Sequence, residues 1–199
     1  MFPRLKMIAA IGLSLAIPCG IAAHPISLPS AIVNVQPDHV QVEIVVMLED
    51  LVLFYRIQAG KDYYFPAAPI HEAAVSHREF LLDGLFLVDD RGNRLTGVIE
   101  EPDLGAIPEK GALQSELKAR TIRYQIRYPT DHATSLLTVS QQFGGEKAIL
   151  PAQLDLVVLQ QGVLLDRSRQ LPANRPASYR IDWKKPPRPT LTLEDIRRQ

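Results

Sequence analysis

The stretch AIVNVQPDHVQVEIVVML, residues 31–48, decides the fold class. Val40, Val42, Ile44, Val46 and Leu48 alternate with His39, Gln41, Glu43, Val45 and Met47. A period of two puts the first set on one face of a strand, turned into a core. Ala31 to Gln36 reads as the strand before it. Pro37-Asp38 reads as the turn between them, because proline presets φ and aspartate can bond its own backbone. The chain therefore opens with a β-hairpin.

The period changes at Glu49. Leu48, Leu51, Val52 and Tyr55 recur at helical spacing, so Glu49 to Ile57 reads as a short helix. A polar loop through Gly60, Lys61 and Asp62 follows. Pro69 to Gly84 is the strongest helical pattern, with Ile70, Ala73, Ala74, His77, Phe80 and Leu81 on one face and Gly84 as the stop. Leu85 to Val88 and Arg94 to Glu100 form a second hairpin around Asp89-Asp90-Arg91-Gly92-Asn93. After a loop from Pro102 to Gly111, a long strand ends with Ile122, Tyr124, Ile126 and Tyr128 inward. Pro129 to His132 then turns the chain into a strand from Ser135 to Ser140. Further strands fit Leu154 to Gln160, Val163 to Asp166 and Ser178 to Trp183. The expected class is mainly β (α+β), an antiparallel sheet or sandwich of roughly seven to nine strands. Its two helices are inserted after the first hairpin.

The N-terminus has the three parts of a secretory signal. Arg4 and Lys6 are followed by an apolar run from Met7 to Pro18, then by the small residues Gly20, Ala22 and Ala23. A run of about 12 residues is too short for a bilayer, which needs roughly 20. Cleavage after Ala23 is expected, making residues 1–23 a signal peptide and His24 the mature N-terminus; cleavage after Ala22 is the alternative. Cys19 raises a lipoprotein reading, but Pro18 stands where a small residue is needed. With ordinary cleavage the single cysteine leaves, and with it any disulfide or thiolate chemistry. The expected location is periplasmic or secreted.

Removal of Arg4 and Lys6 leaves 20 basic against 22 acidic residues, a net charge of −2. That balance gives no electrostatic reason to expect nucleic acid as a partner. No second segment has transmembrane length. Residues 24–183 read as one β-rich domain. Residues 184–199 begin with Lys-Lys-Pro-Pro-Arg-Pro and read as a proline-rich flexible tail.

Few residues carry a chemical signature. If His24 is first in the mature chain, its α-amine and Nδ1 can chelate one metal ion, with copper or nickel suited to such nitrogens. The alternative is that cleavage simply leaves a histidine in front. His39, His71 and His132 lack ligand spacing in sequence, although ligands on separate loops can converge. His77 sits in the apolar stripe and reads as a hydrogen-bonded core histidine rather than a base. Asp89 to Asn93 offers oxygens to calcium but is too short for a helix-loop-helix site, and a tight turn accounts for it. Gly144-Gly145-Glu146-Lys147 lacks phosphate-loop spacing and reads as a flexible turn, the candidate for partner contact. No G-x-S-x-G elbow is present.

The start Ala23-His24-Pro25-Ile26-Ser27-Leu28, followed by Val40 to Leu48 and Glu49-Asp50-Leu51, resembles a loose group of exported bacterial β-rich domains. Some of these look like extracytoplasmic portions of membrane proteins of the HupE/UreJ type, linked by name to nickel enzyme maturation. The resemblance implies a metal-related role at His24. It covers about a third of the mature chain, and no transmembrane helix follows here, so a transport role is not implied. Two readings lead, with a hydrolase whose site is scattered over loops as a third. The first is an exported non-enzymatic β-domain that binds a protein or cell-envelope partner. The second is a periplasmic copper- or nickel-binding protein that uses His24.

Overall fold

Ser30–Val35 (β1) and His39–Met47 (β2) form the expected hairpin, with Val33 opposite Val42. The computed structural model describes residues 30–105, 107–143 and 153–186. The leader, Cys19, His24, Gly144 to Lys147 and the tail beyond residue 186 lie outside the described residues. Along β2 the side chains of Val40, Val42, Ile44 and Val46 are buried, as their alternation requires.

Leu48–Phe54 (α1) follows β2 directly. Tyr64–Phe65 (β3) precedes Ala67–Gly84 (α2), which runs into Leu85–Val88 (β4). Val98–Ile99 (β5), Ala112–Leu113 (β6) and Thr121–Pro129 (β7) come next. Leu136–Gln141 (β8), Gln153–Gln160 (β9), Val163–Pro172 (β10) and Ala177–Arg180 (β11) complete the described elements.

The strands form a six-stranded sheet in the order β10-β9-β1-β2-β7-β5, a three-stranded sheet β11-β8-β4, and the small pair β3-β6. Every pairing is antiparallel except β1 with β9. Ile44, Tyr124 and Ile126 of the large sheet share one core with Leu87, Leu137 and Val139 of the small sheet. Ile70, Ala74 and Leu81 of α2 join the same core. The helices and the small sheet thus make the layer opposite the large sheet. Eleven strands are present among the described residues, three of them only two residues long. The other eight lie within the expected range.

The short helix ends at Phe54 rather than Ile57, the strand from Val163 runs on to Pro172 rather than stopping at Asp166, and three further expectations change. The longer helix begins at Ala67 rather than Pro69, because a proline in the first turn occupies a position whose N–H has no helical partner. The second hairpin keeps its turn but loses most of its second arm. After Leu95 N–H donates to the Leu87 carbonyl, the chain leaves the small sheet, and Val98–Ile99 pair with β7 instead. Gly97 permits that crossing, since a Cβ there would lie 2.7 Å from the Tyr128 ring. The last strand stops at Arg180, and the next N–H, on Ile181, bonds the Ser135 carbonyl.

Candidate functional site

Two places gather chemically distinctive side chains. They lie at opposite ends of β8, whose register carries Leu136 at one end and Gln141 at the other.

The first is an aromatic ledge built by α1 and α2. The buried stripe of α1 is Leu48, Leu51 and Val52. Leu53 and Phe54 fall off that stripe and stay 51% and 41% exposed. Phe54 packs on Tyr55, Phe80 and His77 at ring-centroid distances of 5.0, 5.0 and 5.6 Å. His77 stacks on Phe80 at 4.9 Å, and Tyr55 and Tyr124 close its other sides. Phe143 extends the row beyond Phe80. Four rings therefore surround one imidazole.

His77 is only 4% exposed, and its Nδ1 has no hydrogen-bond partner among the described residues. Burial pushes its pKa down to about 4, so the ring is neutral at neutral pH. The expectation of a core histidine holds, but one of its two ring nitrogens, Nδ1, lacks the hydrogen bond that a satisfied ring would make there. The groups packed on the imidazole are aromatic rings of Phe54, Tyr55, Phe80 and Tyr124. Beside the ledge lies an open cleft of about 410 Å³ lined by Tyr55, Ile57, Gln58, Pro69, Glu72, Ala73 and Ser76. His77 does not line it. Glu72, Glu79 and Asp83 stand exposed along α2 and make no ion pair among the described residues. Burial, and then the charge of Glu79, raise the pKa of the Tyr55 hydroxyl.

The second place joins the turn after β4 to the turn before β8. Asp89 is the anchor of its turn. It accepts from the N–H groups of Arg91 and Asn93 through Oδ1 and from the Asn93 side chain through Oδ2. The tight-turn reading of residues 89–93 is thus correct. Asp90 reaches across the gap, accepting from Ser135 N–H and Oγ–H through Oδ2. His132 Nε2 lies 2.6 Å from Asp90 Oδ1, while Nδ1 faces Asp131. Arg91 pairs with Asp131 at 3.1 Å.

The two carboxylates, Asp131 first and then Asp90, raise the His132 pKa, and His132 in turn holds both carboxyls below their usual range. This constellation is not a nucleophile triad. Ser135 gives its proton to Asp90 rather than to an imidazole, and both His132 nitrogens already face carboxylates.

Of the residues singled out from sequence, His39 bonds its neighbour Asp38 through its ring, and His71 sits 3.5 Å from Glu101 on the surface. His132 is the histidine whose ligand-bearing neighbours converge from a separate loop. The ledge had a legible sign: two large apolar residues, Leu53 and Phe54, off the helical stripe. The His132 cluster had none, because its members are 42 positions apart. No protein-family model, curated protein or solved structure matches this chain.

Proposed function

We propose that this chain is an exported, non-enzymatic domain that binds a protein partner through the ledge of Leu53, Phe54, Tyr55 and Phe80. The exposure of Leu53 and Phe54 side by side carries the reading. Large apolar side chains held out on a helix, over a rigid base of rings, are how interface anchors are presented. The acidic row Glu72, Glu79 and Asp83 beside the ledge defines the partner's chemistry. It favours a segment whose apolar side chains are flanked by lysine or arginine. The signal-like leader supports export, and the near-neutral charge argues for a protein rather than nucleic acid.

The test is selection of a displayed peptide library on the exported protein, with binding remeasured on a Leu53→Ser/Phe54→Ser double variant. Enriched peptides should combine apolar and basic residues and lose at least about tenfold in affinity on that variant, the loss of roughly 1.4 kcal/mol expected for one anchor. Glu79→Lys should weaken them as well. Peptides that bind the double variant equally well, or failure to enrich any, would remove the ledge as the binding surface.

A further inference from the structure

We propose that Asp89, Asp90 and His132 form a binding site for a divalent metal ion of the zinc class, with Asp131 as the positioning residue behind the imidazole. One ligand atom from each of the three side chains lies within 4.8 Å of the others. None of its three ligands belongs to the ledge, and the site does not depend on the binding role proposed above.

The geometry around the imidazole carries the argument. Asp131 engages Nδ1, which fixes the ring and leaves Nε2 directed at Asp90. A carboxylate behind a histidine whose other nitrogen faces further carboxylates is the arrangement that orients metal-bound imidazoles. The available lone pairs fit it. Asp89 Oδ1 and Asp90 Oδ2 each accept two hydrogen bonds and are filled. Among the described residues Asp89 Oδ2 accepts one and Asp90 Oδ1 faces His132 alone, which leaves each a further lone pair. With Nε2 deprotonated, the site offers one nitrogen and two oxygens.

Charge points the same way. Among the described residues the cluster holds three carboxylates, Asp89, Asp90 and Asp131, and Arg91 pairs with Asp131, so a neutral His132 leaves two negative charges, which a divalent cation balances. One imidazole and two carboxylate oxygens suit zinc, cobalt or manganese, with water completing the coordination. Zinc bonded to both Nε2 and Asp90 Oδ1 at about 2.0 Å would set them about 3.3 Å apart. Their present separation is 2.6 Å, so the two surface turns must part slightly. The rival occupant is a proton on Nε2, which the metal would displace.

The test uses Trp183, the single tryptophan, whose indole N–H donates to the Thr134 carbonyl while the Thr134 hydroxyl accepts from Asp90 N–H. Co(II), a paramagnetic stand-in for zinc, is titrated into the exported protein while Trp183 fluorescence is followed. Saturable quenching at one equivalent, reversed by Zn(II), is expected. His132→Gln should weaken it at least about tenfold, and Asp131→Asn, which keeps all three ligands, by about 10- to 100-fold. His24→Ala should leave it unchanged, and circular dichroism should show each variant folded. Absence of saturable quenching, quenching that survives His132→Gln, or quenching lost only in His24→Ala would each overturn the site.

Discussion

The Tyr124 hydroxyl, fully buried on β7, donates a 3.1 Å hydrogen bond to the Ala74 carbonyl of α2. It fastens the long helix to the large sheet at the centre of the core. Burial raises its pKa, so it stays a donor across the accessible pH range. Tyr124→Phe keeps the ring and removes the bond, and should cost about 1 kcal/mol in a urea denaturation midpoint. An unchanged midpoint would mean that apolar packing alone seats α2.

Gly84 and Gly111 forbid a side chain for different reasons. A Cβ at Gly84 would lie 2.3 Å from the Phe143 ring, whereas at Gly111 it would lie 1.9 Å from the Phe65 carbonyl oxygen, at φ +108°. Gly84→Ala should therefore cost about 1–3 kcal/mol and be partly rescued by Phe143→Leu, which removes the ring that the new methyl group would meet. Gly111→Ala meets backbone, and no side-chain change should rescue it. Thermal melts of Gly84→Ala, Phe143→Leu, their double variant and Gly111→Ala check the contrast.

His77 makes stability depend on pH. Its folded pKa of about 4 lies below the ordinary 6.5, so the unfolded chain binds more protons between those values. The neutral ring's contribution is complete above pH 6.5 and is lost as pH falls toward 4, by at most about 3 kcal/mol. Tyr55 and Tyr124, which also face it, remain uncharged throughout that window. His77→Phe should flatten this part of the profile relative to wild type, and the comparison cancels the opposite contribution of His132. Parallel slopes in the two proteins between pH 6.5 and 4 would show that His77 does not titrate as its burial requires.

The ledge should be dispensable for folding. Leu53 is more than half exposed and should tolerate Leu53→Ser within about 0.5 kcal/mol. Phe54→Ser also loses ring contacts with Tyr55, His77 and Phe80, and should cost about 1 kcal/mol. Losses of several kcal/mol in denaturant melts would make the ledge part of the core rather than a surface held out for a partner.

Most of the architecture was legible because its signals are local. Alternation from Val40 to Leu48 and from Ile122 to Tyr128 marks strands with one buried face, and those residues are buried. The second hairpin misled because its turn chemistry is local while the partner of Val98 and Ile99 is chosen across the sandwich. The unpartnered Nδ1 of His77 was likewise invisible, since it depends on rings from α1, α2 and β7 packing together.

Side-chain periodicity, turn residues and the composition of the ends were determined by the sequence alone, since each acts over a few neighbouring residues. They fixed a mainly β chain with two early helices, and they supplied the reasons to expect export. Tertiary structure alone decided which strands share a sheet and that β1 lies parallel to β9. It also decided that Asp90 meets His132 and that Leu53 and Phe54 remain outside the core. Each is a contact between distant segments, chosen by how a whole core closes and not by any residue's own preference.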